Sequence, residues 1–236
     1  MKRLITTLKT KWPEYFFEIF VLVIGIYGAL ELENWNEDQK RQKDEIEMLG
    51  EIANSLEQSL SRIDNTMGFM NQNIEQLHLI GSYIENGSAY DEDFSKALAA
   101  IGTGSSMEFD QSAYENLKVK GLDLISNENL RRKIIATYEN EIAYLEKYVH
   151  LTYERIHKNA ESVLGMHNSE VFIQKDPFAI CIIPNNYEEL IKSREFKNTV
   201  THVEAINVFF IEYLVSYRNS IDSVRVNTQS EILRLK

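Results

Sequence analysis

Two Glu-x-x-His motifs have the spacing nearest to chemistry in this chain: Glu75-Gln-Leu-His78 and Glu154-Arg-Ile-His157. Residues i and i+3 share a helix face, so each motif can offer a carboxylate and an imidazole to one ion. Two such motifs on two helices form part of the carboxylate-bridged di-metal pattern of helical bundles. His150 precedes Glu154 by four residues and His157 by seven, which puts all three on one face. The hydrophobic register opposes a shared centre. Ile74 and Leu77 define the apolar seam of the first helix, so Glu75 lies off it and His78 at its edge. Val149 and Ile156 define the seam of the later helix, so His150, Glu154 and His157 face outward. A solvated charged face is the simpler reading. No catalytic, cofactor-binding or metal-binding residue is assigned.

Other constellations are sparse. Nucleophile triads, phosphate-cradling glycine loops and zinc-finger spacing are absent. Gly102 to Ser106 is rich in Gly and Ser but follows no strand, so it reads as a loop. Tyr138, Tyr144, Tyr148 and Tyr153 crowd one helix. They read as a core edge with an amphipathic rim, ahead of a ligand groove. Cys181 stands alone in FAICIIP and reads as a buried thiol acting as a small hydrophobe.

The elements that position these residues are long helices. From Tyr15 to Leu32 the chain reads YFFEIFVLVIGIYGALEL, with only Glu18 and Glu31 charged. Eighteen helical residues span about 27 Å, close to the ~30 Å hydrocarbon core of a bilayer. A heptad follows. Ile46, Ala53, Leu60, Met67, Ile74 and Gly81 form one row, and Leu49, Leu56, Ile63, Met70, Leu77 and Ile84 the other. All but Gly81 are apolar, so this is a seam of a bundle or coiled coil. The pattern predicts a first helix over 13–85, stopped by Asn86-Gly87-Ser88. Short helices are expected over 91–101 and 113–119, the second capped by Ser112 and closed by Gly121. Ser126 is expected to cap a long helix ending near Leu164, with Ile135, Ile142, Val149, Ile156 and Val163 in one row and Tyr138, Leu145 and Thr152 in the other. Residues 171–184 read as an extended segment or a packed loop, and Asn185 or Asn186 as a cap. A last helix over 197–234 carries Val203, Phe210, Tyr217 and Val224, flanked by Val200, Leu214 and Ile221, with Asn207 polar in the seam.

Charge and compartment narrow the classes. The net charge is −11, and the first twelve residues hold Lys2, Arg3, Lys9 and Lys11 without an acid. The remainder therefore carries −15, which repels phosphate backbones and excludes nucleic acid as a partner. Three Pro and ten Gly in 236 residues argue against disorder. The apolar run lacks a small-x-small cleavage site, and Trp12, Tyr15 and Trp35 sit at its ends as in an aromatic belt, so a retained anchor is expected. Four basic residues before the run against Lys40, Arg41 and Lys43 after it lean towards a cytoplasmic N-terminus and an extracytoplasmic body at the cell inner membrane.

Two stretches resemble a known family. EIFVLVIGIYGALELENWNE, Glu18 to Glu37, is similar to the signature E-I-x-L-V-x-I-G-I-x-x-A-L-x-x-x-N-W-N-E. That signature opens an uncharacterised, Bacteroidetes-type family of single-pass bacterial membrane proteins. Glu18, Ile19, Ile24, Gly25, Ile26, Ala29, Leu30, Asn34, Trp35, Asn36 and Glu37 match it. Val21-Leu22 reverses its order, and Tyr27-Gly28 replaces its usual bulky aliphatics. SAYENLKVKGLDLISNENLRRKI, Ser112 to Ile134, resembles the family's helix–Gly–Leu-Ile-Ser-Asn–helix joint. The resemblance implies a topology and adds no catalytic residue.

The expected fold is all-α: a basic segment over 1–12, a transmembrane helix over 13–35, and an antiparallel three- to four-helix bundle over 36–236. Run back by sevens, the heptad gives Leu32 and Trp35, Gly25 and Gly28, then Glu18 and Val21. Glu18, Gly25, Gly28 and Trp35 are thus the candidate residues for association through the membrane helix, small residues allowing close approach and an intramembrane acid facing protein or water. The competing reading puts Glu18 at the headgroups and leaves the glycines without a role. The expected function is interaction or sensing by helix packing, without bond chemistry, without a cofactor, and with the lipid bilayer, a second copy or another protein as partner. An oligomeric effector or channel is the first alternative, and a metal-dependent helical enzyme the second.

Overall fold

The computed structural model describes residues 2–104, 107–166, 170–175 and 178–236, apart from the side chains of 2–11, 13–15, 159, 166, 172, 174, 175, 178 and 179. Helix α1, Lys2–Asn86, is one unbroken element of 85 residues, about 130 Å long at the α-helical rise. It takes in the basic segment expected to precede it and runs through Pro13, expected to begin it. Gly87, with φ of 62°, ends it, since a left-handed turn carries no Cβ penalty at glycine.

Helix α2, Glu92–Leu98, is capped by the Asp91 carboxylate and runs on as a 3-10 turn, Ala99–Ile101. Among the loop residues, Gly102, Thr103 and Gly104 are non-helical, while 105 and 106 lie outside the described residues. Helix α3, Ser112–Lys120, starts at Ser112 rather than after it. The Asp110 carboxylate accepts from the Ser112 N–H. Gly121, with φ of 103°, closes it. Asn127, not Ser126, caps helix α4, Glu128–Ala136. A π turn, Thr137–Ile142, joins α4 to α5, Ala143–Met166. The π turn adds a residue to one turn and rephases the helix. The buried residues upstream are therefore Leu130 and Ile134, and Ile135 is only half-buried.

The excursion after α5 is an antiparallel hairpin, β1 Glu170–Lys175 and β2 Phe178–Ile183. It is the one sheet among the described residues of an otherwise helical fold. Asn186 caps α6, Tyr187–Lys192, and Ser193 caps α7, Arg194–Leu235.

The long helices pack in alternating directions. Gln42 donates to the Leu235 carbonyl, Arg225 meets Glu57, Arg218 meets Asp64, and His78 meets Glu204. Numbers that rise on α1 fall on α7, so the two are antiparallel. Asp123 lies beside Arg41, Ser126 beside Glu45, and Tyr138 beside Ser55, so α4 and α5 rise with α1. The chain between them descends: Ala100 lies at Asn73, Asp110 at Ser55 and Asn116 at Glu51. The short helices thus make the fourth column of an up-down-up-down bundle.

The core has two parts. One gathers Leu49, Leu56, Ile63, Tyr114, Tyr138, Phe210 and Leu214 towards the base, where α7 ends. The other gathers Leu77, Ile80, Phe94, Ile156, Phe196 and Val203 towards the tip, which carries the hairpin. Buried Asn73 and Asn207 lie between them, each donating to a backbone carbonyl. On α1 the expected row Leu49 to Leu77 is buried throughout, but Ile46, Met67, Ile74, Gly81 and Ile84 of the expected seam are only half-buried. The row one residue earlier, Glu45, Ile52, Ser59, Thr66, Asn73 and Ile80, takes their place in the core. The face is wider than a coiled-coil seam because α1 packs against both α7 and the descending column.

Candidate functional site

Three surfaces could do work. The first is the part of α1 outside the bundle. Every described side chain from Phe16 to Arg41 is exposed except half-buried Gly28. Phe17, Leu22 and Trp35 are each more than 60% exposed. A Cβ added at Gly25 or Gly28 would meet nothing within 4 Å. Glu18, Gly25, Gly28 and Trp35 therefore share an uncovered helix, which among the described residues first meets the bundle where Arg41 pairs with Asp123. Among the described residues no helix is long and apolar enough to cross a membrane. The apolar run expected to cross starts at Tyr15, whose side chain lies outside the described residues. From Phe16 the same length takes in Glu33 as a third carboxylate beside Glu18 and Glu31.

The second surface is the joint at the base. Buried Glu45 of α1 accepts from the Ser126 N–H at 2.8 Å and the Ser126 hydroxyl at 2.9 Å. Buried Glu231 of α7 accepts from the Asn127 amide at 3.0 Å and from Arg234 at 2.6 Å. The Arg234 guanidinium, aided by Asn127 and opposed by burial, holds the Glu231 carboxyl below the usual carboxylate range. Two carboxylates from two helices thus grip the Ser126-Asn127 corner where the descending column turns into α4. Nearby, Tyr114 and Tyr138 stack at 4.7 Å with planes 4° apart. Burial pushes the Tyr138 phenol up to about 12. Its hydroxyl donates to Ser55, which donates on to the Asp110 carbonyl. This corner is built for rigidity.

The third is an aromatic ladder along the α5–α7 seam. Tyr144 stacks on Tyr148 and leans on Tyr217, Tyr148 meets Phe210 and Tyr213, and Tyr213 meets Phe209. Of the four tyrosines read from the sequence, Tyr138 is core, Tyr144 and Tyr148 join the ladder, and Tyr153 stacks on His157 elsewhere. Burial and the neighbouring phenols raise the Tyr148 and Tyr217 hydroxyls above their ordinary value. Sequence reasoning missed Phe209 and Tyr213, which lie off the buried row of α7.

The Glu-x-x-His residues do not converge. His78 pairs with Glu204 at 2.9 Å, His150 with Glu154 at 3.4 Å, and His157 with Glu161 at 3.2 Å, all on exposed surface. Among the described residues no three His, Cys, Asp or Glu side chains are grouped to hold a metal ion. An open groove of about 670 Å³ lies beside His78 and Glu204 near the tip, lined also by Gly81, Glu85, Lys197 and Thr201. Cys181 is a buried free thiol. Comparisons with protein-family models, with curated proteins and with solved structures found no match to this chain.

Proposed function

We propose that this protein is a membrane-anchored helical bundle that works by holding and packing against a partner, with residues 13–35 of α1 as its anchor. The observation that carries the reading is the uncovered apolar helix. A helix with apolar residues on every side is covered by lipid or by protein, and soluble monomers rarely expose a contiguous apolar patch above roughly 600 Å². Here the bundle begins only at Arg41 and Gln42, which meet Asp123 and Leu235. The sequence between Tyr15 and Leu32 holds two charges, both at its ends, and Trp12 and Trp35 flank it. The four basic residues before it favour a body on the extracytoplasmic side. The bundle itself supports a scaffold role: its buried carboxylates Glu45 and Glu231 are engaged in the joint at the base.

Carbonate washing of membranes carrying the full chain tests the anchor. The chain should stay with the bilayer. Ile24→Arg puts a charge at mid-span, costs about 2.5–3.5 kcal/mol on insertion scales, and should release a large fraction. Complete release of the unmodified chain would refute the anchor. A reporter fused after Lys236 and active only in the cytoplasm would overturn the orientation.

A further inference from the structure

We propose that residues 2–12 make a second membrane contact: a basic, amphipathic helix that turns at Pro13 and lies on anionic lipid headgroups. The inference rests on the anchor proposed above and adds the lipid chemistry selected on its N-terminal side.

Residue types on a helical backbone carry it. Helix α1 takes in this segment from Lys2 onwards. At about 100° per residue, positions 4, 5, 8 and 12 share an arc of about 100°, and they hold Leu4, Ile5, Leu8 and Trp12. The rest of the circumference holds Thr6, Thr7, Thr10 and all four basic residues of the segment. A helix divided in this way binds along a bilayer interface, apolar side inward and basic side among the phosphates. Trp12 is 59% exposed and leans on Phe16 at 5.6 Å, where this apolar side runs into the anchor.

Charge selects the lipid. Lys2, Arg3, Lys9 and Lys11 stand together without an acid, while the chain after residue 12 carries −15. A group of roughly four to eight Lys or Arg beside a membrane span is drawn to anionic lipid. The acidic body of the same chain is out of reach as a partner. The bundle begins at Arg41, which stands about 44 Å along α1 from residue 12, several times the Debye length of about 8 Å.

Pro13 supplies the turn. It has no N–H for the Lys9 carbonyl and its ring crowds that carbonyl, so a helix bends there. It falls between the amphipathic stretch and the apolar run that starts at Tyr15.

Fluorescence quenching of the full-length chain in vesicles of phosphatidylcholine and phosphatidylglycerol tests this. With Cys181→Ala as background, Leu8→Cys places a thiol-reactive fluorophore on the apolar side. Thr6→Cys places it about 160° round the helix. Phosphatidylcholine with a nitroxide near the top of its acyl chain is the quencher. Quenching at position 8 should exceed that at position 6 several-fold. It should fall at least two-fold when phosphatidylglycerol is omitted, when Lys2, Arg3, Lys9 and Lys11 are all changed to Gln, or in about 1 M salt, where the Debye length is about 3 Å. Circular dichroism confirms that the bundle is unchanged. Equal quenching at the two positions, or quenching indifferent to both phosphatidylglycerol and the four glutamines, would overturn the proposal. Carbonate washing of the same vesicles reads the anchor separately: release of the chain refutes the anchor, while the quenching measured before the wash still decides residues 2–12.

Discussion

Replacing Glu45 tests the joint at the base most directly. Its side chain is 3% exposed, and one oxygen accepts both the Ser126 N–H and the Ser126 hydroxyl. A hydrogen bond to a charged group is worth about 1.5–3 kcal/mol when its partner stays buried. Ser126 is itself exposed, so water can replace part of what is lost. Glu45→Ala should therefore cost about 2–3 kcal/mol, near the value of one such bond rather than two. For a domain of this size that lowers the melting temperature by about 4–12 °C. Glu45→Gln keeps an acceptor in place and should cost about 1 kcal/mol. Ser126→Ala removes the hydroxyl bond alone, and in the Glu45→Ala background should add almost nothing, because the bond is already gone. Thermal and denaturant melts of the full chain in detergent, followed by circular dichroism, measure all four. If Glu45→Ala melts with the parent, the joint is not held by this carboxylate. If Gln is as harmful as Ala, charge rather than an acceptor is what Ser126 needs.

Three further outcomes follow from the same structure. Leu56→Asp and Leu214→Asp each put an unpaired carboxylate at a fully buried position and should cost several kcal/mol, on the order of 4; a melt unchanged for either would refute the described core. Glu231 has a folded-state pKa below its ordinary 4.5, so it binds protons less readily folded than unfolded, and its contribution is full above about pH 4.5 and fades as pH falls through the lowered folded value. The stability gap between the parent and Glu231→Gln should shrink below pH 4.5, and a gap constant down to the acid transition would contradict this. If chains meet through the anchor, Gly25→Leu and Gly28→Leu should weaken that contact by about 1 kcal/mol, while Glu18→Gln, still able to hydrogen-bond, should leave it; crosslinking within the span that is identical in all variants would leave it an anchor only.

What was legible in the sequence depended on which residue types fill a helix's buried face. On helix α7, Val200, Val203, Asn207, Phe210, Leu214, Ile221 and Val224 are buried as the three-four spacing requires, with Tyr217 of the expected row only half-buried. Helix α1 has two neighbours on different sides. Its second buried row includes Ser59, Thr66 and Asn73, which by type read as surface. Ser59 enters the core by donating to the Ser55 carbonyl, and Asn73 by donating to those of Ala100 and Thr103. No periodicity reveals an acceptor 27 residues away. The π turn was hidden for a related reason: no residue type marks the extra residue, and its effect is visible only as Ile134 displacing Ile135 from the core. The corner at Ser126 was found as a motif but assigned to the wrong cap, because its true partner, Glu45, stands 81 residues earlier.

The ladder and the uncovered helix show the same limit from opposite sides. Tyr144 and Tyr148 were visible as a crowd, yet their meaning depends on Phe209, Tyr213 and Tyr217, which reach them only because α7 runs antiparallel to α5. The apolar run of α1 was visible at once, and among the described residues nothing covers it. Lipid would satisfy that run without choosing among its faces, since apolar contact with acyl chains is non-directional. The ladder is confined to one flank of the bundle, where Tyr148 meets Phe210 and Tyr213 and Tyr144 meets Tyr217, so its rings fix how α5 lies on α7.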